Sequence, residues 1–127
     1  MTTNGPHPTF GHGKVCYLVI PTRDAARSAG FYQSVFRWTL REGEHGMPAF
    51  DDGVGEVSGT WVLSSLPVTD GGIEVHLMVE DLFLAVASIR ASGGTVDKED
   101  IHIEDQRWAR FRDPDDNLLG LYEHPLG

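Results

Sequence analysis

Glu74 and His76 stand two residues apart in a short run, Ile73 to Val79, that reads as a β-strand. Residues i and i+2 of a strand project from the same face, so a carboxylate and an imidazole should lie side by side. That pair can do three kinds of chemistry. In an apolar cleft Glu74 would have a raised pKa and act as a general base, with His76 orienting it. Left ionised, it would pair with a cationic ligand. With a third donor nearby, the two could hold a divalent metal, and His124 or Glu56 are the candidates for that donor. Plainer readings stand beside these: an ion pair of Glu74 with Arg107 or Arg110, and a cleft histidine bonded to Glu74 or to a backbone carbonyl. The remaining histidines, His7, His12, His45 and His102, fall in an expected tail or in loops and read as solvated.

Composition narrows the field. One cysteine, Cys16, among 127 residues excludes an internal disulfide and a multi-cysteine zinc site, and suits a reducing cytoplasm. The formal charge of −9 would repel a polyanion, so nucleic acid is not an expected partner, whereas a cationic small molecule would be drawn in. The longest apolar runs, Val15 to Ile20 and Leu82 to Ala87, have six residues each. A membrane span needs roughly 20. Residues 1–13 lack periodicity and the pattern of a signal peptide, and read as a mobile tail.

The elements that must position Glu74 and His76 follow from Lys14 onward. Val15 to Ile20 reads as a strand, and Thr22 and Asp24 signal a helix start. Ala25, Ala29, Tyr32, Val35 and Phe36 then recur at helical spacing. Gly30 inside that helix costs about 1 kcal/mol relative to alanine, which suggests a close backbone contact there. Trp38 to Glu42, Pro48 to Asp51 and Val57 to Ser64 supply three further strands. The order β-α-β-β-β is then repeated: Ile73 to Val79, an Asp81 N-cap, a helix carrying Leu82, Ala85, Val86 and Ile89, and a Gly93-Gly94 stop. Thr95 to Asp97, Trp108 to Arg112 and Leu118 to Tyr122 complete it. Two such units, 14–66 and 72–123, would form an α+β domain with one cupped mixed sheet and helices outside.

Superposing the units places Tyr17 on Glu74, seven residues before Asp24 and Asp81 respectively. Placing Phe50 on Phe111 puts Gly59 on Gly120 and Trp61 on Tyr122.

The segments Val19-Ile20-Pro21-Thr22-Arg23-Asp24 and Gly30-Phe31-Tyr32-Gln33-Ser34-Val35-Phe36-Arg37-Trp38 resemble the first unit of the vicinal oxygen chelate superfamily. That superfamily includes glyoxalase I, extradiol dioxygenases, and fosfomycin and bleomycin resistance proteins. Val79-Glu80-Asp81-Leu82, Ala91-Ser92-Gly93-Gly94 and Phe111-Arg112-Asp113-Pro114-Asp115-Asp116-Asn117 resemble its second unit and the F-x-DPDGN turn. In metal-using members the first and last strand of each unit contribute one ligand each. The resemblance carries those positions onto Tyr17, Gly59, Glu74 and Gly120. Glycine has no donor, and a tyrosine hydroxyl has an ordinary pKa of about 10. The inherited metal site therefore reads as dismantled and no cofactor is expected, with Glu74, His76 and His124 as a relocated divalent metal site in reserve.

Two glycines at the base of the cleft leave room between Tyr17, Trp61, Trp108 and Tyr122, a suitable lining for a flat organic ligand. Three functions follow from the resemblance and the residues together. One is a metal-free protein that sequesters an aromatic or cationic compound, as in bleomycin resistance. The second is a metal-independent lyase or isomerase with Glu74 as base. The third is a metal-dependent lyase or dioxygenase at the relocated site. Relatives often form homodimers, and a homodimer is expected here.

Overall fold

The computed structural model describes residues 8–9, 11–12, 15–68, 73–103 and 106–123. The expected tail lies mostly outside these residues, as does His124. The first unit consists of β1 (Tyr17–Thr22), α1 (Ala25–Phe36), β2 (Thr39–Glu42), β3 (Pro48–Asp51) and β4 (Ser58–Leu63). The second consists of β5 (His76–Val79), α2 (Leu82–Ala91), β6 (Thr95–Ile103), β7 (Gln106–Arg112) and β8 (Leu118–Glu123). The fold is α+β, built from the two βαβββ units. Strand β6 runs well past the expected Asp97, carried along by antiparallel pairing with β7 across two register shifts. The expected single cupped sheet divides into two ladders among the described residues, ordered β1-β4-β3-β2 and β5-β8-β7-β6. Each is mixed, because the first and last strands of a unit pair in parallel.

Both helices start as the sequence dictates. The carboxylates of Asp24 and Asp81 accept from the backbone amides of Arg27 and Leu84, satisfying donors that the first turn leaves open. Helix α2 stops where Gly93 takes φ +99° and the Gly94 amide returns to the Ile89 carbonyl, a glycine-terminated cap. Gly30 departs from expectation: a Cβ there would meet nothing within 4 Å, so no close contact requires the glycine.

One core serves both units. Phe31, Tyr32, Trp38, Phe50 and Trp61 from the first unit cluster with Leu82, Ile89, Phe111, Leu119 and Leu121 from the second. Rings bridge the units directly, with Phe36 and Phe111 centroids 5.6 Å apart. Each sheet therefore has one face against the helices and this core, while its other face carries no helix.

The turn 113–117 ties the units together. Asp113 accepts from the Asp115 and Asn117 amides and from the Tyr32 hydroxyl, the last at 2.9 Å. Asn117 donates to the Pro21 carbonyl at 2.8 Å and accepts from the Val68 amide at 2.7 Å. Asp115 accepts from the Thr22 hydroxyl, the Arg23 amide and the Arg27 guanidinium. Burial pushes the Asp113 carboxyl up despite these bonds. Burial pushes Asp115 the same way, but Thr22, Arg23 and Arg27 outweigh it and hold that carboxyl below the ordinary range.

Candidate functional site

The helix-free face of β5, β8 and β7 collects most of the residues singled out in the sequence. His76 and Met78 project from β5, Gly120 and Tyr122 from β8, and Trp108 and Arg110 from β7, with Glu74 just before β5. The ladder explains the grouping: His76 is paired with Gly120, Met78 with Tyr122, and Tyr122 in turn with Trp108. The rings form a continuous aromatic ridge. His76 meets Trp108 edge-on at 4.8 Å, and Trp108 meets Tyr122 at 5.3 Å and 63°. Two adjoining hollows of about 260 and 430 Å³ flank the ridge and share His76 and Trp108 as walls, with Ile101 closing one and Met78 the other.

Glu74 is fully engaged. One carboxylate oxygen lies 2.8 Å from His76 Nε2, and the other accepts from the Arg110 guanidinium. The Arg110 hydrogen bond is the main reason its carboxyl lies below the ordinary range; partial burial pushes the other way, and His76 adds to the lowering. This corrects the expected general base: the raised pKa that role needs is absent, because the cleft supplies a guanidinium rather than an apolar wall. The ion pair with Arg110 is the outcome. Arg107 instead lies within 3.3 Å of Glu123 and over the Phe83 ring.

Gly59 and Trp61 require a second correction. Their side-chain direction is toward the core, not the open face. Trp61 is 2% exposed and packs 5.0 Å from the Phe50 ring. A Cβ on Gly59 would overlap that same ring and the Leu18 carbonyl, so this glycine makes room for Phe50. The cause is one residue of loop. Six residues, 52–57, separate β3 from β4, whereas five, 113–117, separate β7 from β8. A one-residue slip in a strand turns every side chain to the other face. The ladders pair Val19 with Thr60 as they pair His76 with Gly120, so Thr60 is the match for Gly120, and Gly59 and Trp61 match Leu119 and Leu121. Thr60 was not legible as a site position; counting the two loops against each other would have found it. Its hydroxyl donates to the Pro48 carbonyl at 2.9 Å.

Tyr17 lies on the open face of the first sheet, 53% exposed, and lines neither hollow. Glu56 is bonded to Thr9, also away from the ridge. No three His, Cys, Asp or Glu side chains are grouped to hold a metal ion among the described residues. Another hollow, of about 340 Å³, lies between the end of α1 and the start of α2 beside Phe36, Arg37, Glu80 and Leu84, and shares no lining residue with the ridge. Among the described residues no helix is long and apolar enough to cross a membrane.

No functionally curated protein matches the sequence at a significant level. Solved structures do resemble the fold. A glyoxalase/bleomycin resistance protein/dioxygenase family enzyme from Burkholderia phytofirmans is 20% identical, with a TM-score of 0.70 over 84% of this chain and 95% of its own. The fosfomycin resistance protein FosX from Listeria monocytogenes is 13% identical, with a TM-score of 0.71 over 88% and 91%. TnmS3, an antibiotic binding protein from a Streptomyces species, is 22% identical, with a TM-score of 0.66 over 91% and 98%. Residues 14–121 match the sequence profile of a family that has this two-unit plan, and the chain belongs to the Glyoxalase/Bleomycin resistance protein/Dioxygenase superfamily.

Proposed function

We propose that this protein binds a planar aromatic small molecule on the His76–Trp108–Tyr122 ridge, without a metal, in the manner of a sequestering or resistance protein. The ridge is the observation that carries the reading: three rings in series, His76 against Trp108 and Trp108 against Tyr122, flanked by hollows and by the soft side chain of Met78. Rings that are already ordered lose little freedom when a flat ligand stacks on them. The aromatic alternative is favoured over the cationic one because Glu74 is compensated by Arg110 and offers no free charge. Antibiotic binding by TnmS3 and fosfomycin resistance by FosX, proteins of the same fold, support a small-molecule role.

The family's metal does not suit these positions. Tyr17, Thr60 and Gly120 contribute no carboxylate or imidazole, and both Glu74 oxygens are occupied. A second copy of the chain fits the reading, since Tyr17, Val19 and Val62 leave apolar surface on the first sheet's open face that a homodimer would cover. The decisive measurement is quenching of tryptophan fluorescence by naphthalene-sized aromatics. Saturable quenching is expected in the native protein and should vanish in Trp108→Phe, because the other tryptophans, Trp38 and Trp61, are buried in the core. Equal quenching in the variant would place the ligand elsewhere.

A further inference from the structure

Gly120 does more than lack a metal-binding side chain. A Cβ built on it would overlap Cε1, Nδ1 and Cγ of His76 together, so the imidazole lies across β8 in the space a side chain at 120 would fill. The ring is fixed on its other sides by the Glu74 carboxylate, 2.8 Å from Nε2, and by the perpendicular Trp108 indole. Arg110 in turn anchors Glu74.

We infer that Gly120 is a positioning residue which, with Glu74, presents His76 to the ligand as a hydrogen-bond acceptor through Nδ1, so that the site selects aromatic ligands bearing a hydroxyl or N–H. The chemistry is that of a two-nitrogen ring. In neutral imidazole one nitrogen carries the proton and the other a lone pair. A carboxylate can only accept, so it draws the proton to Nε2 and leaves the lone pair on Nδ1. Among the described residues Nδ1 has no hydrogen-bond partner, and the His76 side chain keeps 28% of its surface exposed along both hollows. An aromatic ring stacked on Trp108 or Tyr122 and carrying a phenolic hydroxyl would complete that bond. Removing the donor would leave the acceptor unpaired, and an unpaired polar group in a filled pocket is costly. This inference rests on the ridge being the ligand site, but the state of His76 is measurable without any ligand.

The test has two arms. In the free protein, long-range ¹H–¹⁵N spectra in alkaline buffer should show His76 protonated on Nε2 with a bare Nδ1, and Gly120→Ala should displace those signals. In the binding arm, 2-naphthol should quench Trp108 at concentrations at least tenfold lower than 2-methoxynaphthalene, which has no donor, and Gly120→Ala should erase that preference. A proton on Nδ1 in the native protein overturns the inference even if the variant fails to fold. So does an equal response to the two naphthalenes. Failure of both compounds to bind counts against the ridge as the ligand site, while the free-protein spectra still decide the role of Gly120.

Discussion

Two tryptophans show how little residue type decides at the scale of one side chain. Trp61 and Trp108 both read as cleft aromatics, yet Trp61 is enclosed by Phe50 and Tyr32 and Trp108 borders two open hollows. Truncating Trp61 to alanine removes a buried ring and leaves a cavity. Trp61→Ala should therefore lose about 3–5 kcal/mol of stability in chemical denaturation. If that variant instead kept its stability and lost ligand binding, the core placement of Trp61 would be wrong. Glu74 and His76 were legible as neighbours because residues two apart in an extended chain project to the same side, although the strand itself begins only at His76. The partner that settles the role of Glu74, Arg110, lies 36 residues away, and the sequence offered Arg107 on equal terms.

At the scale of elements, the helix signals were reliable because they are local: a capping aspartate, a periodic stripe, a glycine stop. Gly30 is the exception. Its cost in helix propensity suggested a neighbour that needs the space, and the structure has none within 4 Å. Gly30→Ala should accordingly raise stability by about 1 kcal/mol, seen as a higher thermal midpoint with the fold unchanged. A fall would mean that something covers this position. The turn 113–117 has the opposite character. Asp116 adopts φ +69°, a conformation that favours glycine, yet the segment holds because its neighbours Asp113, Asp115 and Asn117 are bonded to β1, α1 and the Val68 amide. Propensity reads such a segment as a turn; its role as the fastener between units appears only with the partners in place.

For the whole molecule, acid should be the effective denaturant. Asp115, Glu74 and Asp51 all have pKa values lowered in the folded state, the last mainly by the Arg41 hydrogen bond. A carboxyl with a depressed folded pKa binds fewer protons folded than unfolded, so stability rises with pH across that window. Their contribution is fully present above the unfolded values near 4 and is lost as pH falls through the lowered folded values. Asp113, raised by burial, has the reverse sign and offsets part of the loss. Thermal midpoints should be level from pH 7 to 5 and fall steeply below pH 4, less so in Asp115→Asn, where one of the three linked groups is gone. A midpoint independent of pH down to 3 would contradict the folded-state pairing. Net charge acts in the same direction: the −9 at neutral pH has reached zero near pH 4.9, and the positive charge that accumulates below it adds self-repulsion to the decline.

The sequence by itself determined the two βαβββ units, the helix ends, the family, and the projection of Glu74 and His76 to one side of the chain. All of these depend on local periodicity or on motifs only a few residues long. Tertiary structure alone decided which face Gly59 and Trp61 occupy, which arginine meets Glu74, and that His76 lies over Gly120. Those outcomes turn on a single residue of loop length and on contacts between strands far apart in the chain, and a strand's two faces are exchanged by a shift too small for any motif to register.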